Sequence, residues 1–204
     1  MKCWLNFSRV ALPFVQAVKR KIGPIGALLI LCVALIEIIG ARGTDSIAGT
    51  REASVNAATA ELLGVYFTPP AGAAQAIVRA IDASQREVLV QAYGFTHNAL
   101  AQALLRAQSR GVAVRVMLDE KSSNTNRYVM GLLTDGNVPM RLDGRHAIAH
   151  NKVMVIDEQI VITGSFNFTN SAETRNAENF LILKSDELAR TYKTQWESHW
   201  AHAR

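Results

Sequence analysis

From His150 to Asn167 the chain reads HNKVMVIDEQIVITGSFN, a histidine, a lysine, an aspartate, a Gly-Ser pair and an asparagine set within two short apolar runs. Val153 to Ile156 and Ile160 to Ile162 have strand length and composition, and the polar Asp157-Glu158-Gln159 breaks them, so the segment reads as a β-hairpin. Side chains alternate along a strand. His150 and Lys152 then share a face, and Asp157 falls on the opposite one, which makes it a structural turn or ion-pair residue rather than a partner of the histidine. Such a set suits a phosphodiester: neutral imidazole is a nucleophile near neutral pH, and a lysine ammonium holds a nonbridging phosphate oxygen. Ser165 and Asn167 add neutral donors. Gly164 permits a tight turn close to an anion, and a helix opening near Phe166 would aim its free backbone NH groups at the same place.

At these positions the chain resembles the phospholipase D superfamily, whose motif runs H-x-K, four residues, D, six residues, G-S-x-N. His150, Lys152, Asp157, Gly164, Ser165 and Asn167 match each fixed position, and the likeness extends through about Val65 to Leu183 in the order of strands and helices. The resemblance implies a two-step reaction in which one histidine attacks phosphorus, a second protonates the leaving oxygen, and water releases the phosphohistidine, without metal or other cofactor. It implies two copies of the motif around one site. This chain has one copy, because His97, His146, His199 and His202 lack both the following lysine and the Gly-Ser turn. A second subunit across a two-fold axis is therefore expected to supply the second histidine, as in the family's small bacterial endonucleases and mitochondrial-type members. By the same resemblance Glu178, ahead of the apolar run Phe180 to Leu183, is the carboxylate expected to orient the nucleophile.

Composition bounds the rest. Residues 1–41 hold five Lys or Arg and one acid, so of twenty-two basic and seventeen acidic residues in the chain, seventeen and sixteen remain. The excess positive charge thus belongs to the N-terminus and is no argument for nucleic acid. Any basic groove must come from local clustering, for which Lys121, Arg127, Arg141 and Arg145 are candidates. The basic residues Lys2 to Lys21 precede an apolar stretch, Ile22 to Ala41, broken by Glu37, which reads as a secretory signal or a signal-anchor. Export to the periplasm or outside, or attachment to the inner membrane, is expected. Both cysteines, Cys3 and Cys32, lie in this segment, so the remainder needs no disulfide.

Residues 1–48 are thus assigned as signal or anchor, 49–62 as a linker of small and polar residues, and 63–204 as the catalytic domain. Within the domain, strands are expected at Val65–Phe67, Val88–Tyr93, Val112–Leu118, Val138–Leu142, in the hairpin and at Phe180–Leu183. Helices are expected at Ala71–Ser84, Leu100–Ser109, Tyr128–Leu133 and Asp186 to about His199. This alternation predicts an α/β fold with a mixed β-sheet sandwiched between helices. Tyr93 and Phe95 are read as core or rim aromatics, with Thr96 or His97 near the substrate, and Trp196 and Trp200, four apart on one helix face, as packing against the sheet. The expected activity is metal-independent endonucleolytic hydrolysis of DNA, and RNA as a further substrate, by a homodimer. A phospholipase acting on phosphatidylcholine or cardiolipin, and a non-catalytic nucleic-acid-binding protein of the same fold, are the alternatives.

Overall fold

The computed structural model describes residues 60–204. The readings made for residues 1–48, and most of the linker, lie outside that range. Seven strands form one sheet: β1 (Glu61–Thr68), β2 (Glu87–Ala92), β3 (Ala113–Asp119), β4 (Met140–Asp143), β5 (Lys152–Ile156), β6 (Ile160–Gly164) and β7 (Glu178–Lys184). Their order is β1-β7-β6-β5-β2-β3-β4, with β2, β3 and β4 parallel and the other neighbours antiparallel. The α-helices among the described residues are α1 (Ala74–Asp82), α2 (Asn98–Ser109), α3 (Ser123–Asp135), α4 (Asn170–Thr174) and α5 (Asp186–Trp200). The mixed sheet between helices is the expected architecture. The first strand starts inside the stretch read as linker, because Glu61 and Leu62 extend its antiparallel pairing with β7 to Lys184 and Leu183.

Strand alternation sorts the core into two layers. Val88, Val90, Met154, Ile156 and Ile162 face the layer that contains residues of α1 to α4, whereas Leu89, Val153, Val155 and Val161 face Ala189 and Trp196 of α5. Trp196 is buried, donates its indole NH to the Val90 carbonyl at 3.0 Å and stacks on Trp200 at 4.8 Å, as the shared helix face predicts. Helix α2 closes at Gly111, whose φ of 87° is open to glycine. Helix α3 is a turn and a half longer at its start than hydropathy suggests, since Ser123 to Arg127 are polar residues that continue the helix directly from a single 3-10 turn capped by Asp119.

Candidate active site

The motif hairpin folds as β5 and β6 at the middle of the sheet. Lys152 opens β5, and its side chain is buried at 7% exposure, with Nζ donating to the His150 carbonyl at 2.7 Å. Burial lowers the lysine's pKa from its ordinary value, and the nearby Glu178 carboxylate opposes that shift. A buried ammonium with one neutral acceptor gains from an incoming anion. The His150 ring is exposed and packs at a tilt on Tyr93, with centroids 4.6 Å apart. Tyr93 also lies 5.3 Å beneath the Lys152 ammonium. The expected rim role of Tyr93 is therefore met, while Phe95 is fully buried and packs edge-on against Phe168.

Gly164 ends β6 where no side chain fits. A Cβ there would lie 2.2 Å from the Asn179 carbonyl oxygen and 2.6 Å from the Phe180 Cα, so the glycine is required by the approach of β7. The turn that follows differs from expectation. The helix opens at Asn170 with Thr169 as its cap, not near Phe166, and the NH groups of Ser165 and Phe166 both donate to the Asn179 carbonyl. Those donors are occupied in holding the turn to β7. The donor left for an anion is the NH2 of the Asn167 amide, whose Oδ1 is buried without a hydrogen-bond partner, while the Ser165 hydroxyl gives its proton to the Glu178 carboxylate.

His150, Lys152, Gly164, Ser165, Asn167 and Glu178 line one open cavity of about 430 Å³. Residues far apart in sequence thus converge as the motif requires. Glu178 shares the cavity but has different partners from the expected one. Its carboxylate accepts from the Ser165 hydroxyl at 2.6 Å and from the Asn176 amide at 3.1 Å, and the His150 ring makes no hydrogen bond among the described residues. The sheet order gives the reason: β7 neighbours β6, which delivers Ser165, whereas His150 precedes β5 one strand further away. Asp157 lies outside the cavity. It occupies the hairpin turn at φ 56°, and its carboxylate accepts from the backbone NH groups of Gln85, Arg86 and Glu87 at 2.9, 2.7 and 3.0 Å. It is the structural turn residue that alternation indicates.

The family model described as cardiolipin synthase, PLD-like domain matches residues 77–200. The chain belongs to the phospholipase D superfamily. It is similar to a phospholipase D of Rickettsia conorii, with 42% identity over 130 residues, 64% of this chain and 65% of the relative. It is also similar to the human mitochondrial cardiolipin hydrolase, with 31% identity over 155 residues, 73% and 62% of the two chains. The matched stretch is just under two thirds of either relative's length. Among solved structures, the phospholipase D family member Nuc from Salmonella typhimurium matches with a TM-score of 0.68 and 32% identity, over 72% of this chain and 97% of that one.

Two residues that support this phospholipase D-type site carry no sequence signal of their own. Asn126 is fully buried, accepts from the Phe95 NH at 2.7 Å and donates to the Tyr93 carbonyl at 2.9 Å, so it fixes the turn that presents Tyr93 to His150. Asp119, equally buried, accepts from the NH groups of Ser122 and Ala149 at 2.9 and 2.8 Å, which anchors the residue before His150. The motif names the reacting groups. The buried amide and carboxylate that hold them are recognisable only once the fold places them beside unsatisfied backbone. The four cations proposed for a basic groove do not line the cavity: Lys121 donates to the Ala147 carbonyl, Arg127 to Asn124, and Arg141 to the Trp200 carbonyl, while Arg145 lies beside His202 and Arg204.

Proposed function

We propose that the chain is a phosphodiesterase in which His150 attacks phosphorus and a second His150, from the partner subunit of a homodimer, protonates the leaving oxygen. Lys152 and the Asn167 amide NH2 hold the nonbridging oxygens, the Ser165 hydroxyl joins them by turning its one proton from Glu178 to the phosphate, and Glu178 offsets the cost of the buried lysine. The second histidine, neutral once it has given up its proton, then takes a proton from water as the water oxygen attacks phosphorus, and the bond from phosphorus to His150 breaks, which restores both rings. No step calls for a metal ion.

The substrate is proposed to be the phosphodiester backbone of DNA, with RNA as a further nucleic acid. The observation that carries this choice is the set of side chains in the cavity: apart from Gly164 they are imidazole, ammonium, hydroxyl, amide and carboxylate groups, and the cavity is open to solvent. A phospholipid substrate is the second reading, favoured by the names of the relatives in Rickettsia and in human mitochondria. Nicking of plasmid by the purified chain in excess chelator, set against release of headgroup from cardiolipin and phosphatidylcholine vesicles, separates the two. Nicking without lipid turnover supports the nucleic-acid reading, and lipid turnover alone overturns it. Export, or anchoring through residues 1–48, is proposed on the basic and apolar run of the N-terminus, and fractionation of cells checks it. No helix among the described residues is long and apolar enough to cross a membrane.

The dimer is proposed on two grounds. One motif supplies one histidine, and the edge strand β1 exposes Leu62, Leu63, Val65 and Phe67, with Phe67 at 68%. The register puts Phe67 opposite Asn179 and Thr68 opposite Glu178, so this apolar edge borders the cavity. Ile148, two residues before His150, is a further half-exposed apolar side chain.

A further inference from the structure

A second group of chemistry-bearing side chains lies outside the cavity. Asp143 ends β4, His146 follows in the loop that leads to His150, His199 lies in the last turn of α5, and His202 follows that helix. One ligand atom from each comes within 4.8 Å of every other. The Asp143 carboxylate is fully buried, and three imidazoles surround it: His146 Nδ1 at 2.9 Å and His199 Nδ1 at 3.5 Å from Oδ2, and His202 Nε2 at 3.4 Å from Oδ1. His202 Nε2 is sealed from solvent yet makes no hydrogen bond. The motif chemistry uses none of the four.

We propose that Asp143, His146, His199 and His202 bind one zinc ion, structural in role, which ties the loop ahead of His150 to the C-terminal end of α5. Three imidazole nitrogens and one carboxylate oxygen are a donor set that suits Zn(II), whose structural sites are four-coordinate and tetrahedral with bonds of about 2.0–2.2 Å. In such a tetrahedron the ligand atoms stand roughly 3.3–3.5 Å apart. The His199 and His202 distances to the carboxylate are already of that size, and the His146 side chain, 42% exposed, is free to swing outward. The Gln195 amide, 2.8 Å from His199 Nε2, is placed to fix that ring while Nδ1 faces the ion, which would replace the hydrogen bond Nδ1 now shares with Gln91. The backbone already assembles the site, since Leu142 and Arg204 exchange NH and carbonyl in both directions at 2.6 and 3.1 Å, bringing the chain after α5 alongside β4.

The competing account is a metal-free cluster in which one imidazolium pairs with Asp143. Cobalt and zinc titration of the full, metal-stripped chain distinguishes them. Expected are one equivalent of Co(II) with the intense visible bands of a four-coordinate ion, its displacement by zinc, and a rise in Tm of roughly 5–10 °C at free zinc a hundred times its Kd. His146→Asn, altering an exposed side chain, should fold and weaken binding at least about tenfold. The double variant His146→Asn/His202→Gln should abolish it. Both variants keep Cys3, Cys32 and His150, so metal held elsewhere would bind them unchanged. A wild-type chain that takes up neither metal, that gains no Tm on binding, or that binds no more tightly than His146→Asn overturns the proposal.

Discussion

At the scale of single residues, His150 has no substitute within the chain, because no other histidine lines the cavity. His150→Ala should lower plasmid nicking by at least about a thousandfold, the order of loss for a removed nucleophile. Its ring is exposed, so the circular dichroism and Tm of the variant should match the wild type. The two acids of the motif region should separate cleanly. Asp157 caps three backbone NH groups behind the hairpin, so Asp157→Asn, which keeps one acceptor oxygen and tolerates the left-handed backbone, should cost about 1–2 kcal/mol and a few degrees of Tm with turnover per folded molecule kept. Glu178→Gln should instead slow turnover by about a hundredfold, a few kcal/mol of barrier, because the Ser165 hydroxyl loses its ionised acceptor and Lys152 its opposing charge. Melting curves and single-turnover rates of both variants check this. Equal rates for Glu178→Gln and wild type would remove the carboxylate from the mechanism.

At the scale of elements, the site depends on how closely β6 approaches β7. Gly164→Ala would drive a methyl into the Asn179 carbonyl and the Phe180 backbone, neither of which is a flexible chain end. The strands must part or Ser165 must move, and a loss of roughly 2–3 kcal/mol of stability together with most of the activity is expected in denaturant titration and nicking assays. Helix α2 adds a pH-dependent contribution. Burial lowers the pKa of His97 at its N-terminus, with the Glu173 carboxylate opposing, so the folded state keeps the ring neutral where the unfolded chain takes up a proton. Stability from this group is complete above about pH 6.5 and falls as pH drops from there toward the folded pKa, and His97→Gln should flatten that part of the Tm profile. The elements themselves were legible where patterns are strong: the continuous apolar runs at Val88 to Val90 and in the hairpin read directly as buried strands. The polar start of α3 was not legible, since Ser123 to Arg127 carry no apolar period. Nor was the pairing of Glu178 with Ser165, which depends on β7 lying beside β6. The Asp143 cluster was hidden for a related reason, as its members are joined by the closure of the chain end onto β4 rather than by spacing.

At the scale of the whole molecule, a cavity with one histidine is half of the two-histidine site proposed above, and the chain leaves an apolar edge beside it. Phe67 stands at 68% exposure on a strand with one neighbour among the described residues, a surface that is costly in water and an aggregation hazard unless covered. In the proposed homodimer the two-fold axis passes beside the cavities, so that the His150 rings of both subunits serve one site and the apolar edge lies in the contact. Light scattering at assay concentration should therefore give a dimer, and specific activity should fall on dilution as the dimer dissociates. Phe67→Glu places a charge on the edge proposed to lie in that contact and should raise the dimer Kd by at least about thirtyfold, the loss usual for an aromatic anchor, while the monomer keeps its fold because the side chain touches solvent in the single chain. Mixed dimers give the sharper test. In the proposed mechanism each site uses both histidines, so a His150→Ala subunit paired with a wild-type one forms no complete site, and adding the inactive subunit in excess should titrate wild-type activity toward zero as subunits exchange. Activity that stays proportional to wild-type subunits, or an active monomer in the light-scattering cell, would mean that one chain carries the whole reaction.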